Sequence, residues 1–235
     1  MKNQAGDSSV IKVPRLARIP FLRHGFGNLN WREKDLRQLA ERLGFRLLFL
    51  KQVHSDVVHF IAEVPQLMLR GDAAVTSLPG LLLIIKTADC LPVLLVEEKK
   101  RVIAAVHCGW KGTSQGFLEK VVMGMKERYG ADPAAILAVF GPCIGGGCYE
   151  VEEDVRRTFV ESKFPATLFR PITGQSGKYL FDLRSANRLQ LLKLGVKAKN
   201  IFSLDICTHC DPTYPSYRRD RDECGRMLTF IGLAS

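Results

Sequence analysis

Apolar positions in this chain fall into short, dense runs rather than long stripes. Between Gly80 and Gly112 three runs of Leu, Ile and Val stand at 81–85, 91–96 and 102–106. The first two flank Thr87-Ala88-Asp89-Cys90, the second and third are separated by Glu97-Glu98-Lys99-Lys100-Arg101, and the third ends in His107-Cys108-Gly109-Trp110. Such runs, bounded by charged or glycine-containing stretches, predict fully buried strands. The charged pentapeptide predicts the solvent turn of an antiparallel hairpin, which puts Cys90 and His107 together at the opposite end of a sheet. Ionisable residues at strand ends are where α/β proteins usually keep their chemistry.

Elsewhere the period lengthens. Leu36, Leu39, Ala40 and Leu43 predict a helix over 30–43 stopped by Gly44. Strands are predicted at 45–50 and 57–61. A helix over 115–129, capped by Thr113 or Ser114, turns Phe117, Val121, Val122 and Met125 inward and stops at Gly130. A strand at 136–140 leads into a glycine-rich loop over 141–150 and a helix from 152 to about 163. A helix over 182–194 stops at Gly195, a strand follows at 201–206, and a turn-rich tail over 207–226 precedes a closing strand at 227–233. Residues 1–20 read as a loose lead-in with an edge strand, and His24-Gly25-Phe26-Gly27 as a turn-rich element. With no repeat, linker or composition break, the whole of 1–235 reads as one α/β domain.

Composition changes this picture little. Hydrophobic residues make up 46% and charged residues 25%, ordinary for a globular chain with one sizeable core. No apolar run approaches the roughly 18 residues that span a bilayer. The N-terminus shows neither a long apolar segment nor a small-residue cleavage site, so a cytoplasmic protein without membrane contact is expected. Seven scattered cysteines suit a reducing compartment, as buried hydrophobes, ligands or nucleophiles. The formal net charge of +10 invites a nucleic-acid reading. Lys and Arg are nevertheless spread from Lys2 to Arg226, and the densest run, Arg218-Arg219-Asp220-Arg221-Asp222, is diluted by acids. Small anions such as phosphate fit this charge better than nucleic acid does.

Cys90 with His107 is a metal site or a nucleophile–base pair. His54, at the end of Lys51-Gln52-Val53-His54, would complete the three-ligand arrangement of a catalytic zinc, which leaves a fourth position open. It also reads as a satisfied core histidine, and Asp72 after Gly71 as a turn cap. Cys207-Thr208-His209-Cys210 has CxxC spacing but lacks both a second pair and a following helix. Together with Cys143, Cys148 and Cys224 it reads as structural. The loop over 141–150 matches neither GxGxxG nor GxxxxGK[ST], although its amides could cradle an anion. The HxE with PCxxC pattern of zinc nucleobase deaminases is absent. Five histidines without an HxH pair supply a multi-copper cluster poorly.

Lys51-Gln52-Val53-His54, Gly71-Asp72-Ala73, Thr87-Ala88-Asp89-Cys90-Leu91-Pro92, His107-Cys108-Gly109-Trp110-Lys111-Gly112, Gly141-Pro142 with Cys148-Tyr149-Glu150-Val151, and Ser216-Tyr217-Arg218-Arg219-Asp220 occur in the order of the YfiH, or laccase-domain, family. The resemblance covers nearly all of the chain beyond residue 20. It implies a fold of mixed β-sheets flanked by helices, with His54, Cys90 and His107 as ligands of zinc, copper being the weaker alternative. It also implies phosphorolysis of adenosine, inosine and methylthioadenosine, and hydrolytic deamination of adenosine. Within that frame Asp89, Cys90 and His107 are the catalytic candidates, Asp89 as a proton carrier or an orienting group. Lys51, Gln52, Lys111 and Arg218 are the candidates for substrate and phosphate. The rival readings are a metal-free Cys90/His107 hydrolase or amidase acting in peptidoglycan precursor fidelity, and a copper-dependent polyphenol oxidase. The chain departs from the family where Phe26-Gly27-Asn28-Leu29 lacks an expected arginine. Lys111 replaces another arginine, keeping the charge but losing the bidentate fork, and the near-terminal TGR is Cys224-Gly225-Arg226.

Overall fold

The computed structural model describes residues 9–234; the first eight residues of the predicted lead-in lie outside the described residues. The first strands in chain order are β1 (Val10–Ile11), β2 (Leu22–Gly27), β3 (Arg46–Phe49), β4 (Val58–Ile61), β5 (Ala73–Thr76), β6 (Leu81–Thr87) and β7 (Leu91–Glu97). They are followed by β8 (Val102–Cys108), β9 (Leu137–Phe140), β10 (Glu150–Glu152), β11 (Phe169–Pro171), β12 (Lys178–Phe181), β13 (Ile201–Ser203) and β14 (Met227–Leu233). The helices are α1 (Pro14–Ala17), α2 (Glu33–Leu43), α3 (Trp110–Ser114), α4 (Phe117–Tyr129), α5 (Glu153–Glu161), α6 (Leu183–Lys193) and α7 (Tyr217–Asp220). None is long and apolar enough to cross a membrane.

Two mixed sheets stack face to face. One runs β1-β2-β14-β6-β3, the other β13-β9-β7-β8-β5-β4, and a small third sheet runs β10-β12-β11. The stack explains why the central runs are apolar without interruption. On β6, Leu81, Leu83 and Ile85 enter the core between the sheets, whereas Leu82 and Ile84 pack with Leu36 and Ala40 of α2. On β7 and β8, Leu94, Val96, Ile103 and Ala105 face that inter-sheet core. Their alternate neighbours Val93, Leu95, Ala104 and Val106 pack against Phe117, Val121 and Met125 of α4 and against α5 and α6. A strand covered on both faces needs apolar residues at every position. The predicted hairpin is antiparallel, with Pro92 opposite His107 and Glu97 opposite Val102.

Three expectations are corrected. His24-Gly25-Phe26-Gly27 is no turn but the last four of the six residues of β2, an interior strand between β1 and β14. Its glycines make room for neighbours, since a Cβ on Gly25 would lie 2.5 Å from Val10 and 2.6 Å from Phe230. The helix predicted over 115–129 begins two residues later, at Phe117, because Gly116 takes a left-handed conformation (φ 71°) between α3 and α4. Thr113 and Ser114 therefore lie inside α3 rather than at a cap. The strand predicted over 201–206 ends at Ser203, where the chain leaves its parallel pairing with β9.

Candidate active site

The site forms where the chain passes from one sheet to the other. Segment 50–57 links β3 to β4 and carries His54; segment 88–90 links β6 to β7 and carries Asp89 and Cys90; His107 is the penultimate residue of β8. Position 107 shares strand parity with Ile103 and Ala105, so its ring faces the space between the sheets, while Cys108 packs into the helix-covered core. Donor atoms of His54, Cys90 and His107 all lie within 4.8 Å of one another. The two imidazoles meet edge to face, with centroids 4.9 Å apart.

Asp72, weighed from the sequence as a turn cap, organises this cluster. It is fully buried and accepts a 2.8 Å hydrogen bond from His107 Nδ1. Its oxygens also accept from the backbone N–H groups of Val53 (3.3 Å), His54 (3.1 Å) and Ser55 (2.7 Å) and from the Ser55 hydroxyl (2.6 Å). Three successive N–H groups thus form a nest around one carboxylate. That nest holds His54 in the left-handed region (φ 56°), an uncommon backbone for a residue with a side chain. With Nδ1 engaged, His107 presents Nε2 as its donor, the carboxylate–histidine arrangement that supports a metal ligand.

The electrostatics follow from these contacts. Burial pushes the Asp72 carboxyl up, but its hydrogen bonds with His107 and Ser55 overcome this and hold it well below the usual carboxylate range. Burial also opposes charge on Cys90 and His107, yet each stabilises the other. The Cys90 thiol comes down to about 6 beside His107 and His54. His107 rises to about 9 through Cys90 and Asp72. Without a metal, the pair is a thiolate beside an imidazolium. A thiolate and two imidazoles that leave a fourth position open are the donors of a catalytic zinc site. A blue-copper centre adds a weak axial ligand, commonly Met, and no methionine among the described residues lines this cavity.

The cluster opens into a cavity of about 690 Å³, within the range for small-molecule sites. Of the residues singled out in the sequence, His54, Asp89, Cys90, His107, Gln52 and Arg218 line it. Lys51 and Lys111 do not; both are exposed, and the Lys111 ammonium lies 5.7 Å from the Trp110 ring. Gln52 spends its amide on the backbone of Lys86, with two 2.8 Å hydrogen bonds. Asp89, also left-handed (φ 78°), accepts from the Thr208 hydroxyl and from the backbone N–H of Arg218, both at 2.6 Å. Arg218 donates in turn to Glu150 O (2.8 Å) and lies 5.6 Å from the Tyr149 ring centre.

Sequence reasoning passed over Asp72, Lys86, Arg226 and the aromatic residues Trp110, Tyr149 and Tyr217, all but Asp72 lining the cavity. Two signals were available. Lys86 is the one charge closing an otherwise apolar run, and Asp72 stands directly before Ala73-Ala74-Val75, where a charge is buried and needs partners.

The family model described as "Multi-copper polyphenol oxidoreductase laccase" matches residues 32–234. Among curated relatives, "Purine nucleoside phosphorylase YfiH" of Shigella flexneri is 37% identical over 197 residues, covering 83% of this chain and 76% of the relative. A "Purine nucleoside phosphorylase" of Deinococcus radiodurans is 40% identical over 219 residues, covering 88% and 81%. The crystal structure of YlmD from Geobacillus stearothermophilus superimposes with a TM-score of 0.86 at 27% identity, covering 99% of this chain and 98% of that one.

Proposed function

From the premise that the chain belongs to the YfiH (laccase-domain) family, we propose that it is a zinc-dependent purine nucleoside phosphorylase of the cytoplasm, built as one catalytic domain, that also deaminates adenosine. Its substrates are adenosine, inosine and methylthioadenosine, with phosphate. The observation that carries this reading is one cavity combining the His54, Cys90 and His107 donors, three aromatic residues and the cations Lys86, Arg218 and Arg226. Aromatic faces suit a purine, and cations suit phosphate.

Held by His54, Cys90 and His107, zinc would supply Lewis acidity to this cavity. Asp72 keeps the proton on His107 Nδ1 and leaves Nε2 free to donate. In phosphorolysis a phosphate oxygen bonds to ribose C1′ as the C1′–N9 bond breaks. The electron pair leaves with the purine, which takes up a proton, and ribose-1-phosphate results. Arg218 and Arg226 neutralise phosphate during this attack. Asp89 acts as a positioning residue, because its two oxygens hold Thr208 and the Arg218 backbone. In deamination water adds at purine C6 and ammonia departs.

Chromatography of adenosine incubated with and without phosphate tests the proposal. Adenine and ribose-1-phosphate form only with phosphate, and inosine forms without it. Arg226→Ala raises the KM for phosphate at least about tenfold, the worth of one charge-assisted hydrogen bond, and leaves deamination nearly unchanged. Lys51→Ala and Lys111→Ala change neither reaction. Absence of product from zinc-loaded protein would remove the nucleoside assignment. The thiolate–imidazolium pair favours one alternative, a metal-free cysteine hydrolase or amidase acting on peptidoglycan precursors. Turnover of such an amide that survives chelation but stops on alkylation of Cys90 selects it.

A further inference from the structure

Three cysteines outside this site converge on one another. The glycine-rich loop between β9 and β10 lies along the turn that follows β13. Cys143 N–H donates to Ile206 O (3.3 Å), and Thr208 N–H donates to Cys143 O (3.1 Å). That pairing brings the sulfurs of Cys148, Cys207 and Cys210 within 4.8 Å of one another, with Cys148 and Cys210 3.3 Å apart. All three are free thiols. The third partner that the CxxC spacing lacked thus comes from a position 62 residues before Cys210.

Packing does not account for the cluster. Unligated cysteine is among the most buried residue types, yet Cys210 is exposed and Cys148 and Cys207 are half-buried. The backbone is also arranged for a sulfur that carries charge. Cys207 Sγ accepts the N–H of Gly145 at 3.1 Å, a bond across the two segments. An N–H donor aimed at the first sulfur of a CxxC turn stabilises a thiolate ligand as second-shell donors do elsewhere.

We propose that Cys148, Cys207 and Cys210 form a second metal site, all-thiolate and selective for a thiophilic d10 cation: Zn2+ completed by solvent beside exposed Cys210, or Cu+ in trigonal coordination. Binding forms three metal–sulfur bonds and releases three thiol protons to solvent, with no change of oxidation state. The ion clamps the loop that lends Ile144 and Tyr149 to the cavity onto the turn whose Thr208 holds Asp89. Tyr149 follows Cys148 directly, Glu150 O holds Arg218, and Thr208 within the CxxC turn holds Asp89. The site is independent of the nucleoside reading and stands whatever the substrate.

Metal-free protein is titrated with Zn2+ and, anaerobically, with Cu+, each against a chromogenic chelator. Wild type takes up two equivalents of Zn2+. Cys90→Ser, which disables the first site, keeps one, and Cys90→Ser/Cys210→Ser keeps none. Co2+ bound to Cys90→Ser gives thiolate-to-cobalt charge-transfer absorption with the intensity of three sulfurs, lost on adding Cys210→Ser. Zn2+ and Cu+ should each displace that Co2+ stoichiometrically, as thiophilic d10 cations do at a thiolate site, and a cobalt spectrum that survives both overturns the assignment. In wild type, mass spectrometry shows Cys148, Cys207 and Cys210 protected from alkylation by metal, a readout that needs no variant to fold. One equivalent in wild type with undiminished alkylation of these cysteines overturns the site. A Cys148–Cys210 disulfide forming in air with Zn2+ present overturns it equally.

Discussion

With no exposed surface and five hydrogen bonds converging on its oxygens, Asp72 stays ionised where burial alone would protonate it. Cys90 and Asp72 together keep His107 protonated up to about 9 against its burial, and His107 in turn draws Cys90 down to about 6. The signs then follow for the metal-free protein. The His107 contribution to stability, full below its ordinary value, is lost as pH rises through about 9. The Cys90 contribution, full above the ordinary thiol value, is lost as pH falls through about 6. Alkylation of Cys90, followed on its own peptide, therefore has a midpoint near 6. Asp72→Asn moves that midpoint up towards an ordinary thiol and weakens zinc binding about 10- to 100-fold. A midpoint unchanged in the variant would reduce Asp72 to a turn cap. The sequence left that choice open because the deciding partner, His107, lies 35 residues away.

Among the elements, β6, β7, β8 and β14 were legible because burial on both faces writes an unbroken apolar run, and α2, α4, α5 and α6 because one buried face writes a 3.6-residue period. β2 was not legible. Its Leu22-Arg23-His24-Gly25-Phe26-Gly27 carries two glycines, which locally read as a turn. Their purpose appears only once Phe230 of β14 and Val10 of β1 lie over Gly25. Gly25→Ala should lower stability by about 1–3 kcal/mol, the usual cost of overpacking. The measurement is a lower denaturant midpoint at unchanged m-value. Gly147→Ala, where a Cβ meets nothing within 4 Å, serves as the neutral comparison. Equal behaviour of the two variants would mean that β2 tolerates the added methyl and that the close approach is not part of its packing.

At the scale of the whole molecule, two of the three donors sit on segments crossing between the stacked sheets, so a metal held there would tie the sheets together. Zinc at a hundredfold excess over its Kd should stabilise the fold by about 2.7 kcal/mol, as for any ligand bound only by the native state. The two tryptophans report on each side: Trp31 packs on Phe230 of the first sheet, and Trp110 lines the cavity beside the second. In Trp31→Phe and Trp110→Phe, the remaining tryptophan should show the same zinc-induced shift in unfolding midpoint. A shift confined to Trp110 would show that the donors belong to a locally opening unit. The sequence by itself determined the buried strands, the principal helices and the nearness of Cys90 to His107, because each rests on a local period or on one short hairpin. Tertiary structure alone decided that the strands divide into two stacked sheets, that Asp72 supports His107, and that Lys86 and Arg226 line the cavity while Lys51 and Lys111 stay outside it. It also decided that Cys148 joins Cys207 and Cys210. Those contacts join residues far apart in the chain, and their partners are chosen by sheet stacking and loop crossing, for which no local pattern of residues codes.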